Sequence, residues 1–153
     1  MVISTLAPEV MASLLEQWEP IRRNQLHYLV TWSTRGRRSA LRDRHVRSLE
    51  VELRAICRER AIPLLEVCAC SDHVHVLLGL KSTQSVASVI RELKGRTGMS
   101  LLESFPELRV WLNSNLLWDG RYSIELVSQP RLEPVRARLR ALHGSHEPMA
   151  AAG

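Results

Sequence analysis

Ser71-Asp72-His73-Val74-His75-Val76-Leu77-Leu78-Gly79-Leu80 decides how the rest of the chain is read. From His73 onward the residues alternate. His73 and His75 fall on one side of an extended chain, and Val74, Val76 and Leu78 on the other. The preceding run, Leu64-Leu65-Glu66-Val67-Cys68-Ala69-Cys70, is short and apolar, and Ser71-Asp72 supplies turn chemistry. The pattern predicts a hairpin with one apolar face and two neighbouring imidazoles on the other. Such a pair can chelate a divalent metal and leave its remaining positions open. A two-residue turn at Ser71-Asp72 would also set Cys70 opposite His73 and Cys68 opposite His75. Two thiols and two imidazoles on one face would suit structural zinc, whereas buried cysteines acting as small apolar residues are the ordinary alternative.

Upstream, Leu26 to Thr34 reads as a strand, with Tyr28, Val30 and Trp32 on one face and His27, Leu29 and Thr31 on the other. Arg35-Gly36-Arg37-Arg38 ends it in a dense basic loop, either a solvated turn or a phosphate clamp. Leu41 to Arg60 carries Val46, Leu49, Leu53 and Ile56 at helical spacing, and Pro63 prevents continuation. Downstream, Ser82 or Thr83 caps a second helix whose stripe is Val86, Val89, Ile90 and Leu93, with Gly95 and Gly98 as expected stops. Its basic end, Arg91, Lys94 and Arg96, either complements the helix C-terminus or contacts phosphate. Leu101 to Asn115 predicts a short helix and an irregular segment. A last strand is expected over Tyr122 to Val127, preceded by Trp118 and Arg121. Leu132, Val135, Leu139 and Leu142 then recur at helical spacing, with Pro134 near the helix start.

The order strand, helix, strand, strand, helix, strand, helix belongs to the α+β class. Its first six elements are those of a ferredoxin-like split βαβ antiparallel sheet with two helices on one face. The histidine face is left for a substrate or for the C-terminal helix. Residues 1–24 form an N-terminal extension with a helix from about Pro8 to Trp18, residues 25–143 the main domain, and residues 144–153 a tail expected to be disordered.

Composition narrows the partners. Of 153 residues, 45% are hydrophobic and 24% charged, as in a globular domain. The formal charge is +5, and of the 21 basic residues only Lys81 and Lys94 are lysines. Guanidinium forks suit bidentate phosphate contacts, so nucleic acid is a reasonable partner. Cys57, Cys68 and Cys70 form no disulfide framework, which predicts a reducing, cytoplasmic setting. No apolar run reaches membrane-spanning length, and the N-terminus lacks the pattern of a signal peptide.

Four segments, in order, resemble one family. They are His27-Tyr28-Leu29-Val30-Thr31-Trp32 with the Arg35 to Arg38 loop, Asp72-His73-Val74-His75-Val76-Leu77-Leu78, Glu92-Leu93-Lys94-Gly95-Arg96, and Trp118-Asp119-Gly120-Arg121-Tyr122. Together they resemble the single-tyrosine HUH transposases of the simplest insertion sequences (the IS-two-hundred type) and their REP-associated relatives. The resemblance implies binding of single-stranded or hairpin DNA, a magnesium or manganese ion, DNA strand transfer and, in many members, a homodimer. It assigns His73 and His75 to the metal, with His143 as the third ligand. It places Arg35, Arg37, Arg38, Lys94, Arg96 and Arg121 near DNA. It also implies a tyrosine on the last helix that attacks the scissile phosphate. Leu139 stands at that position here, and no residue from Pro130 to Gly153 is a tyrosine. The implied protein is a DNA-binding transposase relative without the usual nucleophile. Alternatives are an active nuclease using Tyr122 or water, and a structural zinc protein.

Overall fold

The computed structural model describes residues 7–9 and 25–145. Most of the expected N-terminal helix, and the tail beyond Ser145, lie outside the described residues. Strand β1 spans Gln25–Thr34, helix α1 Asp43–Glu59, β2 Leu64–Ala69 and β3 His73–Lys81. Helix α2 spans Val86–Ser104, α3 Glu107–Leu112, β4 Trp118–Val127 and α4 Leu132–Ser145. The strands pair antiparallel in the order β2-β3-β1-β4. This is the expected ferredoxin-like α+β sheet.

Strand alternation separates two cores. On one face Val30, Trp32, Val74, Val76 and Leu78 pack against Leu49, Leu53 and Ile56 of α1 and Ile90, Leu93 and Leu101 of α2. On the other, Leu29, Cys68, Cys70, Leu77 and Val127 pack against Leu132, Val135 and Leu139 of α4. Burying a Leu or Val side chain stabilises by about 1.5–3 kcal/mol, so this second cluster is enough to seat α4. Glu66 of β2 adds contacts to Arg140 at 2.9 Å and Arg136 at 3.3 Å. The last helix thus lies on the histidine face, over the β2 side of the sheet.

Four boundaries differ from expectation. Helix α2 passes through both expected stop glycines to Ser104, because Thr97, Leu101 and Leu102 continue its buried side. Gly98 is required for packing rather than termination. A Cβ there would lie 3.3 Å from Trp118 Cδ1, and Trp118 Nε1 donates to Thr97 Oγ1 at 3.0 Å. The short helix begins only at Glu107. Strand β4 starts at Trp118, four residues early, because Trp118 pairs with Thr34 beyond a register shift. Helix α4 continues past His143 to Ser145.

Candidate metal and DNA site

The β2–β3 turn is tight, with the Cys70 N–H donating to the His73 carbonyl at 2.7 Å. Cys68 pairs with His75 in register, as the two-residue turn predicts. The imidazoles of His73 and His75 stand edge to face, with centroids 4.9 Å apart. Each ring has a partner at Nδ1. His73 Nδ1 lies 2.6 Å from Asp72 Oδ1, and His75 Nδ1 lies 2.9 Å from Thr31 Oγ1. A carboxylate or hydroxyl accepting from Nδ1–H sets the ring tautomer and turns Nε2 into the coordinating atom. Two imidazole nitrogens by themselves suit a borderline metal such as zinc, and magnesium or manganese would need oxygen ligands in the remaining positions.

The basic loop is fastened to the same turn. Thr34 is fully buried. Its N–H donates to the Asp72 carbonyl at 2.8 Å, and its Oγ1 donates to the Arg38 carbonyl at 2.6 Å. Ala40 and Leu41 donate to the Ser71 carbonyl at 3.1 and 2.9 Å. Gly36 and Arg37 adopt left-handed φ values of 64° and 56°, which folds Arg35–Arg37 into one compact turn. Arg37 Nε then lies 3.6 Å from Asp72 Oδ2. Nothing in the local pattern signalled Thr34 or Thr31. Only the pairing of β1 with β3 brings them to the histidine turn.

The other expected residues disperse. Arg96 pairs with Glu59 at 2.8 Å and Glu92 at 3.2 Å. It therefore lies in the helix layer and does not join the loop. Lys94 Nζ donates to the carbonyls of Asp119 at 2.6 Å and Arg121 at 3.3 Å, tying α2 to β4. Burial lowers its pKa. The Arg121 side chain is exposed near Asp119. His143 Nδ1 lies 3.5 Å from Glu50 Oε1 on α1. Burial raises the Glu50 pKa. His143 is thus turned to the β2 edge. Among the described residues no three His, Cys, Asp or Glu side chains gather into a metal-holding group.

Three further expectations are resolved by burial and register. Leu139 is 1% exposed, within the buried cluster that includes Leu77 and Cys68. Its position is a core position on the histidine face. Tyr122 pairs with Trp32, and so projects on the face opposite Thr31 and His75. Within one copy the sheet therefore stands between Tyr122, the fallback nucleophile, and the imidazoles. Tyr28 projects on that same far face. The four-ligand zinc cluster is not assembled either. Cys68 and Cys70 are buried under α4, and the hydrogen bond shared with Cys68, together with burial, pushes the Cys70 thiol up.

Residues 22–139 match the family described as "Transposase IS200 like". The chain belongs to the IS200-like transposase family. It is 28% identical over 102 residues to the transposase of insertion sequence IS200 from Salmonella typhimurium, covering 67% of each chain. It is 25% identical over 119 residues to the ISDra2 transposase TnpA of Deinococcus radiodurans, covering 78% of this chain and 85% of that one. A crystal structure of a D. radiodurans protein assigned as a transposase superposes with a TM-score of 0.63. It shows 26% identity and covers 78% of this chain and 92% of that one. A REP-associated tyrosine transposase bound to a REP hairpin shares the fold, with a TM-score of 0.59 and 15% identity. That match covers 80% of this chain and 68% of the other. Placed in this transposase family, the paired imidazoles and the basic loop form one candidate site at one end of the sheet.

Proposed function

We propose that this chain binds single-stranded or hairpin DNA at the end of its sheet, holds magnesium or manganese through Nε2 of His73 and His75, and lacks a tyrosine able to attack the bound phosphate. The observation that carries this reading is the pair of Nδ1 contacts, to Asp72 at 2.6 Å and Thr31 at 2.9 Å. Asp72 and Thr31 each contact a ring at Nδ1, which favours Nε2 as the coordinating atom. Arg35, Arg37 and Arg38 supply positive charge beside them, and Thr34 fixes that loop to the turn. A relative of the same fold is bound to a REP hairpin, which supports DNA as the partner. When bound, a divalent metal polarises a phosphate oxygen as a Lewis acid.

Both tyrosines project on the far face of the sheet, so an in-chain phosphotyrosine has no donor. Strand cleavage by this chain would require water as the attacking group. A second copy is the partner proposed for β4, an edge strand that exposes Ile124 and Leu126.

The test is manganese titration of the wild type and of His73→Ala/His75→Ala, with binding of a labelled DNA hairpin measured in parallel across salt. Manganese binding is expected to disappear in the variant, while hairpin binding survives and weakens steeply with salt. Equal manganese affinity in the two proteins would remove the metal assignment. Hairpin binding independent of salt would remove the DNA assignment.

A further inference from the structure

A groove of about 650 Å³ runs between α2 and the start of β4, outside the histidine site. Its wall includes Ile90, Leu102 and Trp118, and its rim carries Arg91 and Arg109. Three features set it apart from an ordinary surface furrow. First, its volume is in the range of small-molecule sites and its lining is mainly apolar.

Second, a glycine opens it without any packing reason. Gly95 sits inside α2, where glycine costs about 1 kcal/mol relative to alanine. A Cβ at Gly95 would meet nothing within 4 Å. Gly98, one turn on, is different because Trp118 occupies the space its side chain would need. Gly120, across the groove, also faces open space. Two glycines with room to spare line the same cavity, which is the arrangement a closely approaching ligand requires.

Third, the rim is net cationic, with Arg91, Lys94 and Arg109 set against one carboxylate, Asp119. Most other arginines of the helix layer are matched by acids, such as Arg60 and Arg96 with Glu92. Among the described residues, no carboxylate lies within ion-pair distance of Arg91 or Arg109, and Arg109 Nη1 donates only to the Leu102 carbonyl at 2.9 Å. Lys94 stands 5.8 Å above the Tyr122 ring. It anchors the strand that forms the groove's outer wall.

The groove is also physically joined to the site above. Arg35 N–H donates to the Leu117 carbonyl at 2.8 Å, and Leu117 lines the groove. The preceding residue, Thr34, holds Asp72. The basic loop therefore touches the histidine turn with one residue and the groove wall with the next. An anionic polymer crossing that loop would meet both.

We infer that this groove receives one unstacked base of single-stranded DNA, with its flanking phosphates on Arg91 and Arg109. The inference rests on the DNA reading above. An aromatic and apolar wall with a cationic rim is the chemistry that takes a base by its π-face and its phosphates by charge. Gly95 and Gly120 admit the base, and Lys94 positions β4 beside it.

The experiment compares a short oligodeoxythymidylate with an abasic strand of the same length and charge, on the wild type and on Gly95→Leu. Leucine favours the helix more than glycine does, so the variant is expected to fold, which far-ultraviolet circular dichroism checks. The wild type is expected to bind the base-bearing strand about tenfold more tightly than the abasic one. Gly95→Leu is expected to bind both strands equally, at the weaker level. Retention of the base preference in Gly95→Leu would overturn the groove assignment. Equal binding of both strands by the wild type would overturn it too, with the DNA reading left standing. Binding of neither strand by the wild type would overturn both.

Discussion

The Thr34 N–H donates to the Asp72 carbonyl at 2.8 Å, so the last residue of β1 is fastened to the turn that presents His73. The same threonine's hydroxyl holds the Arg38 carbonyl at 2.6 Å. One buried residue thus keeps the cationic loop and the imidazole pair in fixed relation, by its backbone to the turn and its side chain to the loop. Thr34→Val keeps the shape but leaves the Arg38 carbonyl without this donor. It is expected to cost about 1–2 kcal/mol, measured by urea denaturation. Hairpin affinity should fall while manganese affinity changes little. A variant with unaltered stability and DNA binding would show that the loop is held by other contacts.

Asp72 is expected to matter for metal through His73. Its carboxylate orients Nδ1 from 2.6 Å. Removing such a partner ordinarily weakens a metal site by about 10–100-fold. Asp72→Ala is therefore expected to weaken manganese binding in calorimetry while leaving the fold intact. An unchanged affinity would mean that the ring is oriented without Asp72.

The proposed lack of a tyrosine nucleophile makes a prediction about adducts. With manganese and a hairpin substrate, the natural chain is expected to give no protein–DNA adduct on a denaturing gel, and Tyr122→Phe is expected to behave identically. Leu139 shares a buried cluster with Leu77, which lies two strand positions, or roughly 7 Å, from His75. A phenol at residue 139 would start from the histidine face. Leu139→Tyr is expected to lose about 1–3 kcal/mol through overpacking and to yield an adduct. An adduct from the natural chain that disappears in Tyr122→Phe would contradict the sheet geometry.

His45 makes stability depend on pH. Its ring is buried at the start of α1, where Nδ1 accepts from the Arg42 N–H at 2.9 Å and Nε2 donates to Glu107 at 3.0 Å. Burial, opposed by the Glu107 hydrogen bond, lowers its pKa below the ordinary 6.5. Folding therefore favours the neutral ring. Its contribution is complete above about pH 6.5 and is lost as pH falls toward the lower folded value. Melting temperature should decline over that interval, and His45→Gln should flatten the decline. The same profile in both proteins would place the titration elsewhere.

The β4 edge is tested by oligomeric state. Ile124 and Leu126 are 43% and 56% exposed on a strand that, among the described residues, is paired on one side only. Ile124→Lys is expected to shift the chain from dimer to monomer in sedimentation velocity, since a charged edge residue opposes strand pairing. A wild-type monomer at high concentration would remove the second copy as partner.

Much of this protein could be read without coordinates. Strand side chains alternate with period two, so His73 and His75 had to share a face, and Trp32 and Tyr28 had to share the other. The stripe Leu132, Val135, Leu139 and Leu142 had to seek an apolar surface, and the order of elements limited the sheet to few arrangements. What remained depended on contacts between residues far apart in the chain. Whether Gly95 and Gly98 end a helix turned on Thr97, Leu101 and Leu102 finding a buried surface to pack on, with Trp118, some twenty residues on, filling the space beside Gly98. Which face Tyr122 takes depended on the register of β4 against β1, and a shift of one residue would have reversed it. Arg37 and Arg96 are chemically alike. Tertiary structure brought Asp72 to one and Glu59 to the other, which also meets Glu92 one turn back on its own helix, so only the first stands beside the imidazoles. His143 met Glu50 because α4 crosses toward the β2 edge, a direction that helical periodicity cannot encode. Local pattern determined which side chains travel together. Packing between distant segments decided what each one faces.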